Sequence, residues 1–127
     1  MTVLVFDRAT GRLSTISAAG ALVAAAANFV DSKSEGPWPP GRYAFLAHNV
    51  HPDDAPDSAF GAQGILVFSV PGRTGMGVHS GRARIVDALG RVGICHCTLG
   101  CIRTTDGAME QLLELHDREP ITAIEVR

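Results

Sequence analysis

The chain has 127 residues, 46% of them hydrophobic and 19% charged, which makes one domain with a real core and leaves no room for a second. Its 11 basic and 13 acidic residues give a formal charge of −2 with no basic stripe, which excludes a nucleic-acid or membrane-surface footprint. The 14 glycines and 7 prolines interrupt the chain too often for a helical bundle and predict short strands joined by turns.

Residues 2–6 (TVLVF) read as a strand, 7–11 as a turn and 12–17 (RLSTIS) as a second strand, together a hairpin. The apolar stretch 16–30 (ISAAGALVAAAANFV) is too short to span a membrane. Arg8 and Arg12 before it imitate the start of a secretory signal, but the hairpin reads as structure, so synthesis in the cytoplasm, where thiols stay reduced, is expected. Its alanine-rich remainder fits a short helix or a pair of small-residue strands equally. Residues 35–45 (EGPWPPGRYAF) form a proline-stiffened turn that delivers a strand. Residues 48–64 are polar and turn-rich, a long surface loop of the kind that carries function. Strands are predicted at 65–70 (ILVFSV) and 76–81 (MGVHSG), and 82–93 reads as a loop with one helical turn. Met109, Leu112, Leu113 and His116 fall at helical spacing, with Thr104 or Thr105 as N-cap and Asp106 in the first turn. Residues 121–126 (ITAIEV) close the chain as a strand.

All three cysteines lie in one stretch, CHCTLGCIR at 95–103. Zinc ligation by Cys95, His96, Cys97 and Cys101 is disfavoured, because structural zinc sites pair two short Cys/His spacings across a longer gap. A disulfide is disfavoured by the reducing compartment. Cys95 and Cys97 read as small apolar fillers of a strand. Cys101 differs. Gly100 before it permits a sharp turn, and Arg103 two residues on shares its side of an extended segment, where a cation favours thiolate. A cysteine nucleophile needs a base near neutral pKa, and His48, His51, His79, His96 and His116 all remain candidates by spacing.

VHSG at 78–81 followed by TLGCIR at 98–103 resembles the paired signature of the L,D-transpeptidase catalytic domain of the YkuD type. The early hairpin, the proline turn and the strand after the helix fall in the matching order. The resemblance implies a mainly β, sandwich-like domain with one or two short helices and the cysteine in a cleft. It implies Cys101 as nucleophile, His79 as general base and Ser80 as the residue orienting the imidazole through its carbonyl or hydroxyl. Gly100 and the Cys101 amide match the oxyanion region, and Thr98 the Ser/Thr position. Arg103 matches the arginine, either as a holder of substrate carboxylate or as a tie for the turn. No metal or cofactor is implied. Two departures stand out: Leu99 occupies the place of a second histidine, for which His96 is the nearest substitute, and the segment between His79 and Cys101 is longer than in compact members.

By the same resemblance the substrate is a peptidoglycan stem tetrapeptide, cleaved or exchanged at its terminal D-residue through a thioester. The compact size is similar to transpeptidase-like toxins carried by type VI secretion systems. That implies delivery to the periplasm or wall, with a secretion apparatus and an immunity protein as further partners. Two other classes compete, a cysteine peptidase or amidase of the compact wall-hydrolase kind and a non-catalytic wall-binding module.

Overall fold

The computed structural model describes every residue from Met1 to Arg127. Eight strands and one α-helix are formed: β1 (Thr2–Asp7), β2 (Arg12–Ile16), β3 (Val23–Ala27), β4 (Gly41–Asn49), β5 (Ile65–Phe68), β6 (Gly77–His79), β7 (Ile102–Thr104), α1 (Asp106–Arg118) and β8 (Ile121–Val126). The alanine-rich stretch is therefore a single strand, β3, and its helical alternative is not adopted. Residues 82–92 form a loop without the expected helical turn; a 3₁₀ turn follows at Gly93–Cys95.

The strands close into a barrel in the order β1-β2-β3-β7-β6-β5-β4-β8, not into the expected sandwich. Two strands cause the closure. β4 pairs with β8 through Gly41–Ala44 and with β5 through Phe45–Asn49, with a register shift between Phe45 and Ala47 where the strand turns from one layer to the next. β3 pairs with β2 through Val23–Ala25 and with β7 through Ala26 and Ala27. Both edges of a would-be sandwich are thus stitched, and no strand edge is left open at the corners.

Strand alternation separates the two faces of the wall. Leu66, Phe68, Val78 and Ile102 turn inward and join Leu4, Phe6, Leu13, Trp38 and Ile124 in one core cluster. Met109 and Leu112 add the buried face of α1 to the same cluster. Thr105 caps that helix, its hydroxyl accepting from the Ala108 N–H at 3.2 Å, which decides between the two predicted caps. Ile65 and Val67, the alternate residues of β5, lie instead in a small cluster with Cys101. The outer face of β5–β6–β7 is where the site forms. No helix is long and apolar enough to cross a membrane.

Candidate active site

Register brings the two predicted reactive residues together. β6 and β7 are parallel, with Val78 opposite Ile102 and His79 opposite Arg103. Since Val78 and Ile102 both point into the core, His79 and Arg103 stand on the outer face, and Cys101, two residues before Arg103, stands with them. A cavity of about 420 Å³ opens there, lined by His79, Cys101, Arg103, Thr98, Cys97 and Arg82 among others. Loops roof the site. Phe60 meets the His79 ring edge-on with centroids 5.0 Å apart. Met76 and Leu99 supply apolar wall, and Asp31 enters beside Thr98.

The imidazole is held through backbone, which settles how Ser80 acts on it. The His79 Nδ1–H donates to the Ser80 carbonyl at 2.6 Å, so Nε2 carries the free lone pair. The Ser80 hydroxyl donates instead to Asp106 Oδ1, tying the strand end to the first turn of α1. Gly61 has φ +75, and a β-carbon on it would lie 2.1 Å from Ser80 Oγ, so this neighbour must be glycine. Burial pushes the His79 pKa down to about 4; the Ser80 carbonyl opposes this, Arg103 reinforces it, and Asp54 opposes it. The ring is therefore neutral at neutral pH.

Cys101 is 7% exposed. Burial raises its thiol pKa, outweighing a hydrogen bond from the Gly77 backbone and the charge of Arg103, both of which lower it. Arg103 favours the thiolate in the expected direction, but desolvation outweighs it, so of the two resting forms the sequence left open the pair rests as thiol and neutral imidazole. The thiol donates to the Gly75 carbonyl at 3.6 Å rather than to His79.

The turn carrying Cys101 is gripped from three sides. The Gly100 carbonyl accepts from Trp38 Nε1–H at 2.7 Å and from Asn28 Nδ2–H at 2.9 Å. The Cys101 carbonyl accepts from Asn28 at 3.0 Å and from the Thr98 hydroxyl at 2.7 Å. Gly100 has φ +133, and a β-carbon there would sit 2.8 Å from Met76 Sδ. Its N–H is already given to Thr98 Oγ1 at 3.2 Å, which removes it from the expected oxyanion pair. The Cys101 N–H makes no hydrogen bond within the protein. Thr98 is thus a strut of the turn.

Arg103 is 4% exposed and spends its guanidinium on backbone carbonyls. Nε donates to Ser80 at 3.3 Å, Nη1 to His96 at 3.1 Å and Cys97 at 3.4 Å, and Nη2 to Ala59 at 3.0 Å. Of its two predicted roles, the tie is the one formed.

The remaining cluster disperses. Cys95 and Cys97 are exposed and outside any strand, which corrects their reading as strand fillers. A 3₁₀ turn at Gly93–Cys95 replaces the expected strand, and Arg103 of β7 ties the His96 and Cys97 carbonyls rather than their side chains. His96 donates through Nε2 to the Ile85 carbonyl at 2.7 Å and is not among the residues lining the cavity. Asn28, Trp38, Phe60, Arg82 and Asp106 are absent from the sequence-predicted site. Only Trp38 left a signal, as the single tryptophan set between prolines in the GPWPPG turn.

No protein-family model and no curated protein sequence matches the chain. Among solved structures, it is similar to a crystal structure of the L,D-transpeptidase from Xylanimonas cellulosilytica, with a TM-score of 0.61 and 15% sequence identity. The match covers 99% of this chain and 60% of that one, so the chain spans somewhat less than two thirds of its neighbour's length. At that identity the likeness speaks for architecture: the chain has an L,D-transpeptidase-like fold, mainly β with one helix.

Proposed function

We propose that the protein is a peptidoglycan-modifying cysteine acyltransferase that acts on stem tetrapeptides. The observation that carries this reading is the single cavity holding the Cys101 thiol beside an imidazole whose Nδ1 is locked by Ser80, on an L,D-transpeptidase-like fold.

The thiol turns from the Gly75 carbonyl toward His79, whose Nε2 takes the proton as sulfur attacks the carbonyl of the terminal amide. The unpartnered Cys101 N–H receives the developing oxyanion, a donor worth about 3 kcal/mol of barrier. Collapse breaks the C–N bond, and the His79 imidazolium returns its proton to the departing amine. The thioester then passes to an amine, giving transfer or exchange, or to water, giving carboxypeptidase activity. Neutral imidazole and neutral thiol suit this order, since the base must be empty before the attack.

The compact wall-hydrolase alternative places its cysteine at a helix start. Here Cys101 leads into β7 and the helix begins only at Asp106, which favours the transpeptidase reading. Mass spectrometry of muropeptides incubated with the protein tests it: tetrapeptides should shorten, cross-link or change their terminal residue, and Cys101→Ala should not do so. An unchanged profile with folded wild type overturns the proposal. Action on assembled wall, and with it the reading as a delivered effector, has a separate test. Fusion to an export signal should slow growth or swell cells, and the exported Cys101→Ala form should not.

A further inference from the structure

Arg82 differs from every other charged group at the cavity. Arg103 is occupied by four carbonyls, and Asp31 is an acid whose Oδ1 accepts from the Lys33 N–H at 2.8 Å. Arg82 lines the same cavity, is half-buried, and has neither a side-chain hydrogen bond nor an ion pair. Arg73, Arg84, Arg91 and Arg127 each hold an acid, and the other arginines without one, Arg8, Arg12, Arg42 and Arg118, lie outside this cavity.

Its backbone is equally distinctive. Arg82 is the one non-glycine residue with positive φ, at 56°, a left-handed conformation that a β-carbon disfavours. Two hydrogen bonds hold it there: its N–H donates to the Ser58 carbonyl at 3.1 Å, and its carbonyl accepts from Gly93 at 2.7 Å. The chain thus fixes the base of a long cationic side chain three residues beyond His79, in a geometry glycine would adopt without strain. Its charge is close enough to Arg103 to oppose that residue's own. An unpaired guanidinium beside a saturated one lacks a counter-anion.

We infer that Arg82 binds a carboxylate of the acyl donor and so sets which tetrapeptides are accepted. This deepens the proposed function and rests on it for the identity of the donor. The guanidinium takes the carboxylate by paired N–H···O bonds, at the cavity where the scissile carbonyl must meet Cys101. Asp31 repels the same group from the segment beside Thr98. Two donor carboxylates carry this chemistry, the terminal one next to the scissile amide and the side-chain one of the third residue.

The test separates anion binding from turnover. In a Cys95→Ser, Cys97→Ser background, Cys101 is alkylated with iodoacetate and with iodoacetamide at low salt. Wild-type Arg82 should favour the anionic reagent, and both Arg82→Gln and Arg82→Gly should lower the iodoacetate/iodoacetamide ratio by about tenfold or more. The glycine variant relieves the φ strain, so loss of fold does not obscure the result. A ratio unchanged in both variants overturns the anion site. In a second arm, synthetic tetrapeptides carry an amide in place of one carboxylate or the other. The carboxylate that Arg82 holds is the one whose amidation costs wild type about tenfold in kcat/KM and costs Arg82→Gln nothing further. Equal losses in both enzymes at both positions overturn the donor assignment. If no tetrapeptide is turned over while the alkylation ratio still depends on Arg82, the proposed function fails and the anion site stands.

Discussion

The indole N–H of Trp38 donates to the carbonyl of Gly100 at 2.7 Å, joining a fully buried core residue to the turn that presents Cys101. Asn28 supplies that carbonyl's second donor through Nδ2, and its Oδ1 accepts from the backbone N–H of Trp38 at 2.9 Å. Removing either donor leaves the carbonyl half-served; removing both leaves a buried acceptor with none. Trp38→Phe should therefore cost about 1 kcal/mol for the hydrogen bond plus whatever the smaller ring loses in packing. The Asn28→Ala, Trp38→Phe double variant should lose about 1 kcal/mol more than the sum of the singles in urea unfolding followed by circular dichroism. Additivity within about 0.3 kcal/mol would show that the two donors do not act on one carbonyl.

Activity should keep its base far into the acid range. His79 sits at about 4, so Nε2 loses its proton as pH rises through that value, and kcat/KM should climb there and be level by about pH 6. His79→Ala should lower kcat/KM by about 10²–10⁴-fold with the fold retained. An acid limb near the ordinary histidine value would mean that the working base is not this buried ring.

The same group ties stability to pH. His79 binds its proton near 6.5 when unfolded and near 4 when folded, so the unfolded chain holds more protons between these values. Its contribution is whole above pH 6.5 and is lost as pH falls towards 4, by about 3 kcal/mol in all. Carboxylates also weaken the fold in acid, so the measurement is a difference: chemical unfolding of wild type and His79→Gln across this window. The variant should show the shallower decline. Parallel curves would refute the assignment.

The three thiols should divide two against one. Cys95 and Cys97 are exposed and Cys101 is buried, so a disulfide reagent at neutral pH should modify two sulfurs quickly and one slowly, and unfolding should release the third. Cys95→Ser and Cys97→Ser should change stability by less than about 0.5 kcal/mol and preserve turnover, while Cys101→Ala abolishes it. Equal loss of turnover in all three variants would return a shared metal or thiol centre to contention.

Much of the element order was legible because it rests on local rules. The continuous apolar run at 65–68, glycine and proline at the turns and the 109–112 spacing mark β5, its neighbours and α1 without tertiary information. The alanines of 24–27 gave no such sign, since a small side chain suits either period; pairing with β2 and β7 made them a strand. The barrel was likewise out of reach. Closure depends on the β4 register shift and on β3 reaching β7, two contacts between residues far apart in sequence.

The site divides in the same way. The motifs named the residue types at Cys101 and His79, and the sequence by itself determined that Gly100, Cys101 and Arg103 would share a turn and a strand. What each group does depends on its surroundings, and only the tertiary structure decided that. Arg103 reads equally as a holder of substrate carboxylate and as a tie for the turn until the fold surrounds it with four carbonyls. Beside Cys101 the sequence shows a cation that favours thiolate, but not the burial that outweighs it. The unpaired cation at the cavity, Arg82, carries no motif at all, because being unpaired is a relation among distant side chains. Composition and local spacing specify backbone preference and chemistry within a few residues; desolvation and hydrogen-bond saturation exist only once the chain has folded around them.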